Sequence, residues 1–402
     1  MSANSVNPFR HVAYPVRVYG GDDALSNLRG EMGRLGAQRP FVVCGQSVAR
    51  RTDLIERIRE ALAGELAGVF DGVQAGSPET AVQEGVRMAR EADADLVIAV
   101  GGGSAVVTAR AIIIMLAEGG TPQDHATKYP PGQRPVSPRL MRPKLPNIVV
   151  LTTPTTATTR AGTAIIDGET GHRLEMFDPK TRPASVIWDT EALLTAPAEL
   201  CISAAGSLFS GVISALQAPT LNTMATADLL ASLGLLVENL PATRKNPDDG
   251  EARLNLCVAS FMYNRAWDTG ASGSALGVVS ALAHSLDTRY PDCSHGAAYS
   301  IATAPGMRFN RSHNVGGQAR VADALGVREP GAGDEQAAES AADAVGGFFE
   351  AIGLPGALRE VGVPAEGISE IAQDAMTDFG LHRNIRPVGG VEELEAVLRE
   401  AW

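Results

Sequence analysis

A glycine-rich segment after an apolar run is the first stretch of this sequence whose residue types suit chemistry. The apolar residues 96–100 are followed by Gly101, Gly102, Gly103 and Ser104, and then by a helix-like segment. Glycine lets the backbone approach a ligand closely, the first amides of a helix attract phosphate, and the Ser104 hydroxyl can donate a hydrogen bond or cap the helix. The segment predicts a phosphate-binding turn. It does not match GxGxxG, and a plain strand-to-helix turn is the alternative.

A second polar segment, residues 151–163, reads LTTPTTATTRAGT and contains seven threonines. Threonine hydroxyls at the end of a strand can bind phosphate or ribose, and we assign Thr155, Thr156 and Thr159 to this role. The alternative is that these β-branched residues only favour an extended, solvated edge. Together with the glycine turn, the segment favours a dinucleotide site.

The elements that must position these segments differ between the two halves of the chain. Between about residues 15 and 190, strand-like runs alternate with amphipathic helical stretches, which is typical of a parallel sheet covered on both faces. From about Ala196 onward, the segments are rich in Ala and Leu with helical periodicity. We predict an α/β domain over residues 1–195 and an all-helical domain over residues 196–402. The strand-like runs are VRVYG, PFVVCG, LVIAVGGG, NIVVLTT and ASVIWD.

Composition restricts the classes of partner. The chain has 402 residues, of which 45% are hydrophobic and 20% charged, enough for two globular domains. The net charge of −12 argues against nucleic acid, which requires a basic face. No apolar run reaches the roughly 18 residues of a membrane span, and the N-terminus lacks a signal-peptide core. Four widely spaced cysteines without a CxxC pair predict reduced thiols in the cytoplasm.

Four motifs, in order along the chain, carry a resemblance to a known family. VGGGSAVVTARA resembles GGGSxxDxAK, PTTATTRAG resembles PTTxGTGSE, and ALAHSLDTRYPDCSHGAAYSIATAPGMRFN resembles HxxxHxLG followed by PHG. NIRPVGGVEELEAVLREAW resembles an NPRP-type ending. These are motifs of the iron-containing alcohol dehydrogenase superfamily, which includes maleylacetate reductase and, more distantly, dehydroquinate synthase. The resemblance implies a Rossmann-like half that binds a nicotinamide dinucleotide, a helical half, and an active site in the cleft between them.

The sequence departs from the family at the metal-binding positions. Metal-using members supply one aspartate and three histidines, whereas the resemblance places Ser207, Gly211 and Ser280 at three of these positions and leaves His295 at the fourth. One imidazole and two hydroxyls do not hold iron or zinc, because such sites need three or four strong donors. We therefore predict no metal, and assign Ser207, Gly211 and Ser280 to the substrate-binding surface.

The sequence also departs from the family around the cofactor. Val107 and Arg110 replace the family's Asp and Lys behind the glycine turn, and Gly45 stands where the family often has an aspartate that binds the adenosine ribose. A glycine removes the charge that would repel a 2′-phosphate, so we expect NADP at least as much as NAD. Arg160 replaces a small residue of the threonine segment, and we assign it to substrate binding because a guanidinium can hold a carboxylate.

His284 and His295 are the candidate proton donors. Within this family, the sequence most resembles metal-free maleylacetate reductases, in which protein side chains take the place of the metal that activates the substrate. Histidine exchanges protons near neutral pH and can act as a general acid. For each histidine, the alternative is a purely structural role. Three charged residues, Asp287, Arg289 and Asp292, lie between the two histidines in the sequence. Tyr299 is a weaker candidate, and its alternative is a place in the core.

Two functions of different class remain open. The first is a metal-independent NAD(P)-dependent reductase, in which a hydride passes to a carbonyl or activated alkene and His295 or His284 supplies the proton. The second is a repurposed family member that catalyses non-redox cyclisation, addition or elimination, with or without a dinucleotide. A catalytically silent scaffold is a third alternative, which the retained glycine and threonine segments and both histidines disfavour. We expect a cytoplasmic homodimer that acts on a small molecule.

Overall fold

The described chain forms two compact units. The first unit comprises residues 14–197 and 248–257, and the second comprises the described parts of residues 9–13, 198–247 and 258–402. The first unit extends two residues beyond the predicted boundary at residue 195 and includes a later segment that a single division of the chain does not anticipate. Residues 9–13, which the prediction assigned to the first domain, belong to the second unit. The computed structural model describes residues 9–130, 133, 135–269 and 275–402.

A six-stranded parallel sheet forms the centre of the first unit, with strand order β1-β8-β5-β4-β2-β3, and β6 and β7 form a separate antiparallel pair. Strands β4, β5 and β8 are buried along their whole length, as expected for a parallel sheet covered on both faces. The α/β prediction is confirmed. The strands are β1 Arg17–Gly21, β2 Pro40–Gly45, β3 Gly68–Val73, β4 Leu96–Gly101, β5 Asn147–Leu151, β6 Gly162–Ile166, β7 Arg173–Phe177 and β8 Ser185–Asp189.

Helix α5 is the main helix of the first unit. It is apolar around most of its circumference, with Ile112, Ile113 and Ile114 fully buried, and it packs against β4, β6 and α4. This burial holds its first turn at the carboxyl end of β4. The helices of this unit are α1 Leu28–Leu35, α2 Gln46–Arg51, α3 Leu54–Ala61, α4 Glu79–Glu91, α5 Gly103–Glu118, α6 Pro122–His125 and α7 Thr190–Leu194.

Within the described residues, the regular elements of the second unit are all helices, as the sequence predicts. Helix α8 has the length and apolar composition of a membrane span, but 72% of its most apolar window is buried inside the protein, which is typical of a core helix. The first part of α10 belongs to the first unit. The remaining helices are α8 Ala198–Leu216, α9 Thr223–Lys245, α10 Gly250–Asp268, α11 Gly277–Arg289, α12 His295–Leu325, α13 Asp334–Ala351, α14 Gly367–Ala375 and α15 Val391–Glu400.

Candidate active site

The glycine turn joins β4 to α5 at the carboxyl end of the sheet. Gly101 has a φ of +139°, which residues with side chains rarely adopt. Gly102 is the residue that precedes the helix, and no side chain caps the first turn of α5. Ser104 therefore lies within the first turn and is not the cap that the sequence suggests. Its carbonyl accepts a hydrogen bond from Ser77 Oγ at 3.2 Å.

The glycine turn and the threonine segment form one cradle. A Cβ at Gly102 would lie 2.6 Å from Thr153 Oγ1, and a Cβ at Gly103 would lie 2.9 Å from Thr155 Oγ1. Both distances are shorter than any ordinary contact, so only glycine leaves room for these hydroxyls. A backbone turn without side chains, neighbouring hydroxyls and the start of a helix are groups that can bind a pyrophosphate, so the chemistry of the cradle fits a dinucleotide.

The threonines of this segment do not all face a ligand. Thr155 Oγ1 accepts a hydrogen bond from the Ala157 amide at 3.1 Å, and Thr158 Oγ1 donates to the Thr155 carbonyl at 2.7 Å. Thr159 is buried, whereas Thr156 is partly exposed. Of the three threonines assigned from the sequence, only Thr155 lies against the glycine turn. Thr153, which also lies there, was not assigned, although it belongs to the same run of threonines.

Arg110 holds the threonine segment in place. It is buried and donates to the Gly162 carbonyl at 2.6 Å and to the Ala157 carbonyl at 2.8 Å. Burial, together with the charges of Arg182 and Arg160, lowers the pKa of Arg110 to about 9, so this side chain remains protonated at neutral pH. Arg160 thus contributes positive charge beside the cradle, and its substrate-binding role stays a prediction.

We expect Arg110→Met to lower the free energy of unfolding by about 3 kcal/mol, because it leaves two carbonyls without their buried donors. Urea unfolding of the variant measures this loss. Exposed Arg29, on α1, provides the matched control, and Arg29→Met should leave stability nearly unchanged. Equal stability of the two variants would show that Arg110 does not support the segment.

Gly45 ends β2 at the carboxyl end of the sheet and carries no carboxylate. Its φ of −89° suits any residue, and a Cβ there would meet only the Val73 carbonyl, at 3.5 Å. Packing therefore does not require glycine at this position. On the adjacent strand β3, Asp71 is paired with Arg50 at 2.9 Å. The preference for NADP or NAD stays a prediction.

In the second unit, His284 and His295 lie side by side. Their ring centroids are 6.3 Å apart, and the ring planes differ by 10°. Nδ1 of His284 lies 3.0 Å from Asp378 Oδ2, and Nδ1 of His295 lies 2.6 Å from Asp287 Oδ2. The His284 side chain is 13% exposed and that of His295 is 46% exposed. Each imidazole is thus held by a carboxylate, and His295 is the more accessible to a substrate.

Two aromatic side chains, those of Tyr299 and Phe379, contact the histidines. Tyr299 Oη lies 3.4 Å from Nε2 of His284, and its ring packs edge-on against His295 at a centroid distance of 4.9 Å. Phe379 lies 5.6 Å from the His284 ring. We call His284, His295, Tyr299, Asp287 and Asp378 the histidine cluster.

The other candidates between the two histidines lie elsewhere. Arg289 pairs with Glu370 and Asp374 on the surface, and Asp292 is exposed. Burial and the charge of Asp287 raise the pKa of the neighbouring Cys293 thiol to about 12, which keeps this thiol protonated and unreactive.

The residues that the resemblance places at the family's metal positions make other contacts in the structure. Ser207 Oγ donates to a carbonyl of its own helix at 2.8 Å. A Cβ at Gly211 would lie 2.8 Å from Tyr263 Oη. Ser280 packs against Gly380, where an added Cβ would lie 3.1 Å from the Cβ of Ser280. Within the described ranges, no group of three or more His, Cys, Asp or Glu is arranged to hold a metal. The donor set does not fit iron or zinc; the substrate-binding role assigned to the first three residues stays a prediction.

An α/β unit with a phosphate cradle, combined with a helical unit that carries the polar side chains, is the architecture of a dinucleotide-binding dehydrogenase fold. The family model "Iron-containing alcohol dehydrogenase" matches residues 15–190, and "Fe-containing alcohol dehydrogenase family, C-terminal" matches residues 211–402. The chain belongs to the iron-containing alcohol dehydrogenase family, as the motifs predict.

Individual relatives extend this comparison. The NAD-dependent methanol dehydrogenase of Bacillus methanolicus is 27% identical, covering 95% of this chain and 97% of its own length. Maleylacetate reductase 2 of Cupriavidus pinatubonensis is 27% identical, covering 81% and 80%. Among solved structures, 1,3-propanediol oxidoreductase has a TM-score of 0.86 at 24% identity, covering 98% of this chain and 100% of its own. These relatives are oxidoreductases, and the last comparison shows a shared fold.

Proposed function

We propose that the protein is a metal-independent NAD(P)-dependent reductase of a small carbonyl or unsaturated compound. The observation that carries this proposal is the presence of both a glycine-and-threonine cradle and two neighbouring imidazoles that are each held by a carboxylate, while the metal positions offer no strong donor set. Relatives that include NAD-dependent methanol dehydrogenase and maleylacetate reductase support oxidoreductase chemistry.

The cradle would hold the dinucleotide. Gly102 and Gly103 would bring the backbone to the phosphates, and the amides at the start of α5 would donate hydrogen bonds to them. The positive charges of Arg110, Arg160 and Arg182 beside the threonine segment would favour the same anion. When bound, the nicotinamide would supply the hydride that reduces the substrate.

The histidine cluster would supply the proton. A carboxylate accepts hydrogen bonds, so Asp287 and Asp378 each require a proton on Nδ1 of their histidine. Nε2 is then the nitrogen that gains and releases a proton during reaction. His295 would deliver this proton to the substrate oxygen, since almost half of its side chain is exposed. His284 is the second candidate donor.

The substrate is proposed to carry a carboxylate. Two observations support this proposal. The guanidinium of Arg160 can bind a carboxylate through two hydrogen bonds, and the chain is similar to maleylacetate reductases. We further propose that the protein works in the cytoplasm as a homodimer, without nucleic-acid or membrane partners. The net charge of −12 and the wide spacing of the four cysteines, without a CxxC pair, support this setting.

Elemental analysis and calorimetry of the purified protein test this function. We expect no stoichiometric iron or zinc, because the residues assigned to the metal positions offer one imidazole, that of His295, and two serine hydroxyls, while Gly211 offers no side-chain donor. We also expect binding of NADH or NADPH, with NADPH bound at least as tightly. About one metal ion per chain, lost in His295→Ala, would contradict metal independence. Absence of binding to either dinucleotide at millimolar concentration would favour non-redox chemistry.

A further inference from the structure

Asp378 reaches the histidine cluster from a distant part of the chain. It follows α14 and lies 94 residues after His284 in the sequence, yet its Oδ2 is 3.0 Å from Nδ1 of that histidine. Its other oxygen, Oδ1, accepts a hydrogen bond from the Gly380 amide at 2.7 Å. The side chain is only 9% exposed. Both carboxylate oxygens are therefore engaged, and Asp378 has little freedom to turn away.

The segment that carries Asp378, residues 378–384, is fastened to α11. A Cβ at Gly277 would lie 2.4 Å from both the Asn384 amide nitrogen and the Gly380 carbonyl oxygen, so glycine allows the two backbones to touch. Asn384 Oδ1 accepts from the Val278 amide at 3.1 Å, and its Nδ2 donates to Asn310 Oδ1 at 2.9 Å. These contacts fix the segment on the helix that carries His284.

The bonding groups around His284 define one tautomer. Asp378 can only accept, so the imidazole carries its proton on Nδ1 when neutral. Nε2 is then an acceptor, and the Tyr299 hydroxyl donates a long hydrogen bond to it, at 3.4 Å. Phe379, the residue after Asp378, covers part of the ring. The imidazole is thus bound at both nitrogens, with Nε2 directed to the only phenol of the cluster.

We propose that Asp378 is a positioning residue of the active site, which holds the His284 imidazole with its proton on Nδ1 so that Nε2 is the atom that exchanges protons. Asp378 itself does not touch the substrate. This inference rests on the proposed reductase function, in which the cluster supplies a proton, and it adds a residue that the metal-site positions and the sequence motifs do not indicate.

The test combines a structural and a kinetic measurement on the full-length protein and on Asp378→Asn. In protein labelled with ¹⁵N-histidine, NMR reports which imidazole nitrogen carries the proton; His284→Asn assigns the signal. We expect Nδ1–H in the wild type. In the variant, the side-chain amide can donate to Nδ1, and the signal should change to the Nε2–H form.

On the reductase substrate, kcat of Asp378→Asn should fall about 10²-fold, the lower range for loss of general-acid catalysis, with little change in KM.

Two further variants separate positioning from a general structural effect. Asp378→Glu retains an acceptor and should preserve the Nδ1–H signal and recover part of kcat. Asp374→Asn, on α14 and paired with Arg289, is the matched control and should change neither measurement. An Nε2–H signal for wild-type His284, or an unchanged signal in Asp378→Asn, would overturn the inference. Because the NMR result does not depend on turnover, absence of reductase activity would refute the proposed function but not the assigned tautomer.

Discussion

Replacement of His295 by asparagine is expected to lower kcat by at least about 10²-fold, the lower limit for loss of a general acid. The physical reason is that asparagine cannot release a proton at neutral pH, whereas the imidazole is held by Asp287 at 2.6 Å and is 46% exposed. Steady-state reduction of the true substrate measures the change. Cofactor affinity, measured by calorimetry, should remain near that of the wild type.

His313 offers a matched control for this substitution. It lies on the same helix, α12, is exposed, and contacts only its neighbour Ser312 among the hydrogen bonds of the described residues. His313→Asn should therefore retain full turnover. His284→Asn should lower turnover as His295→Asn does, or change the substrate affinity. If both His284→Asn and His295→Asn turn over at the wild-type rate, neither imidazole is catalytic, and the proton would have to come from Asp287, Tyr299 or a water.

Gly102→Val is expected to abolish dinucleotide binding. Even a Cβ at Gly102 would lie 2.6 Å from Thr153 Oγ1, and Thr153 is 2% exposed, so it has no space into which to move. The added side chain would push the glycine turn and the threonine segment apart and fill the space next to the start of α5. Calorimetric titration with NADPH and NADH measures the loss, which should exceed 10²-fold in affinity, or roughly 3 kcal/mol.

Gly30 provides the control for the same substitution. It lies on α1 in the same unit, and a Cβ there would meet nothing within 4 Å. Gly30→Val should bind the dinucleotide as the wild type does, and circular dichroism should show that both variants are folded. Undiminished binding by Gly102→Val would mean that the dinucleotide does not use this cradle.

Of the five strands predicted from the sequence, β2, β4, β5 and β8 are almost entirely buried, and β1 is largely exposed. A strand with both faces covered consists of consecutive apolar residues, as in β4 and β5, and such a run is visible without knowledge of its neighbours. Strand β3, at the edge of the sheet, buries only Phe70 fully, and its sequence GVFDGV therefore lacks that signal. The β6-β7 pair was missed for a similar reason, since both strands mix polar and apolar residues.

The cofactor cradle could be predicted only in part. The glycines at 101–103 and the run of threonines are local patterns, and both are recognisable because each depends on residues adjacent in the chain. Which hydroxyl meets which glycine depends on the packing of β5 beside β4, and this packing brings Thr153 to Gly102. The packing of α5 against β6 makes Arg110 a buried support for the threonine segment, a role that its position in the motif does not reveal.

The amino-acid sequence by itself determined the family, the two-part fold, and the pair of histidines that the motif places 11 residues apart. Tertiary structure alone decided what each histidine contacts. Asp378 is 94 residues from His284, and no periodicity or motif links them, because their contact arises only when the segment 378–384 packs onto α11 against Gly277. Local sequence specifies which element forms and which face is apolar. The partner of a polar side chain depends on how separate elements pack.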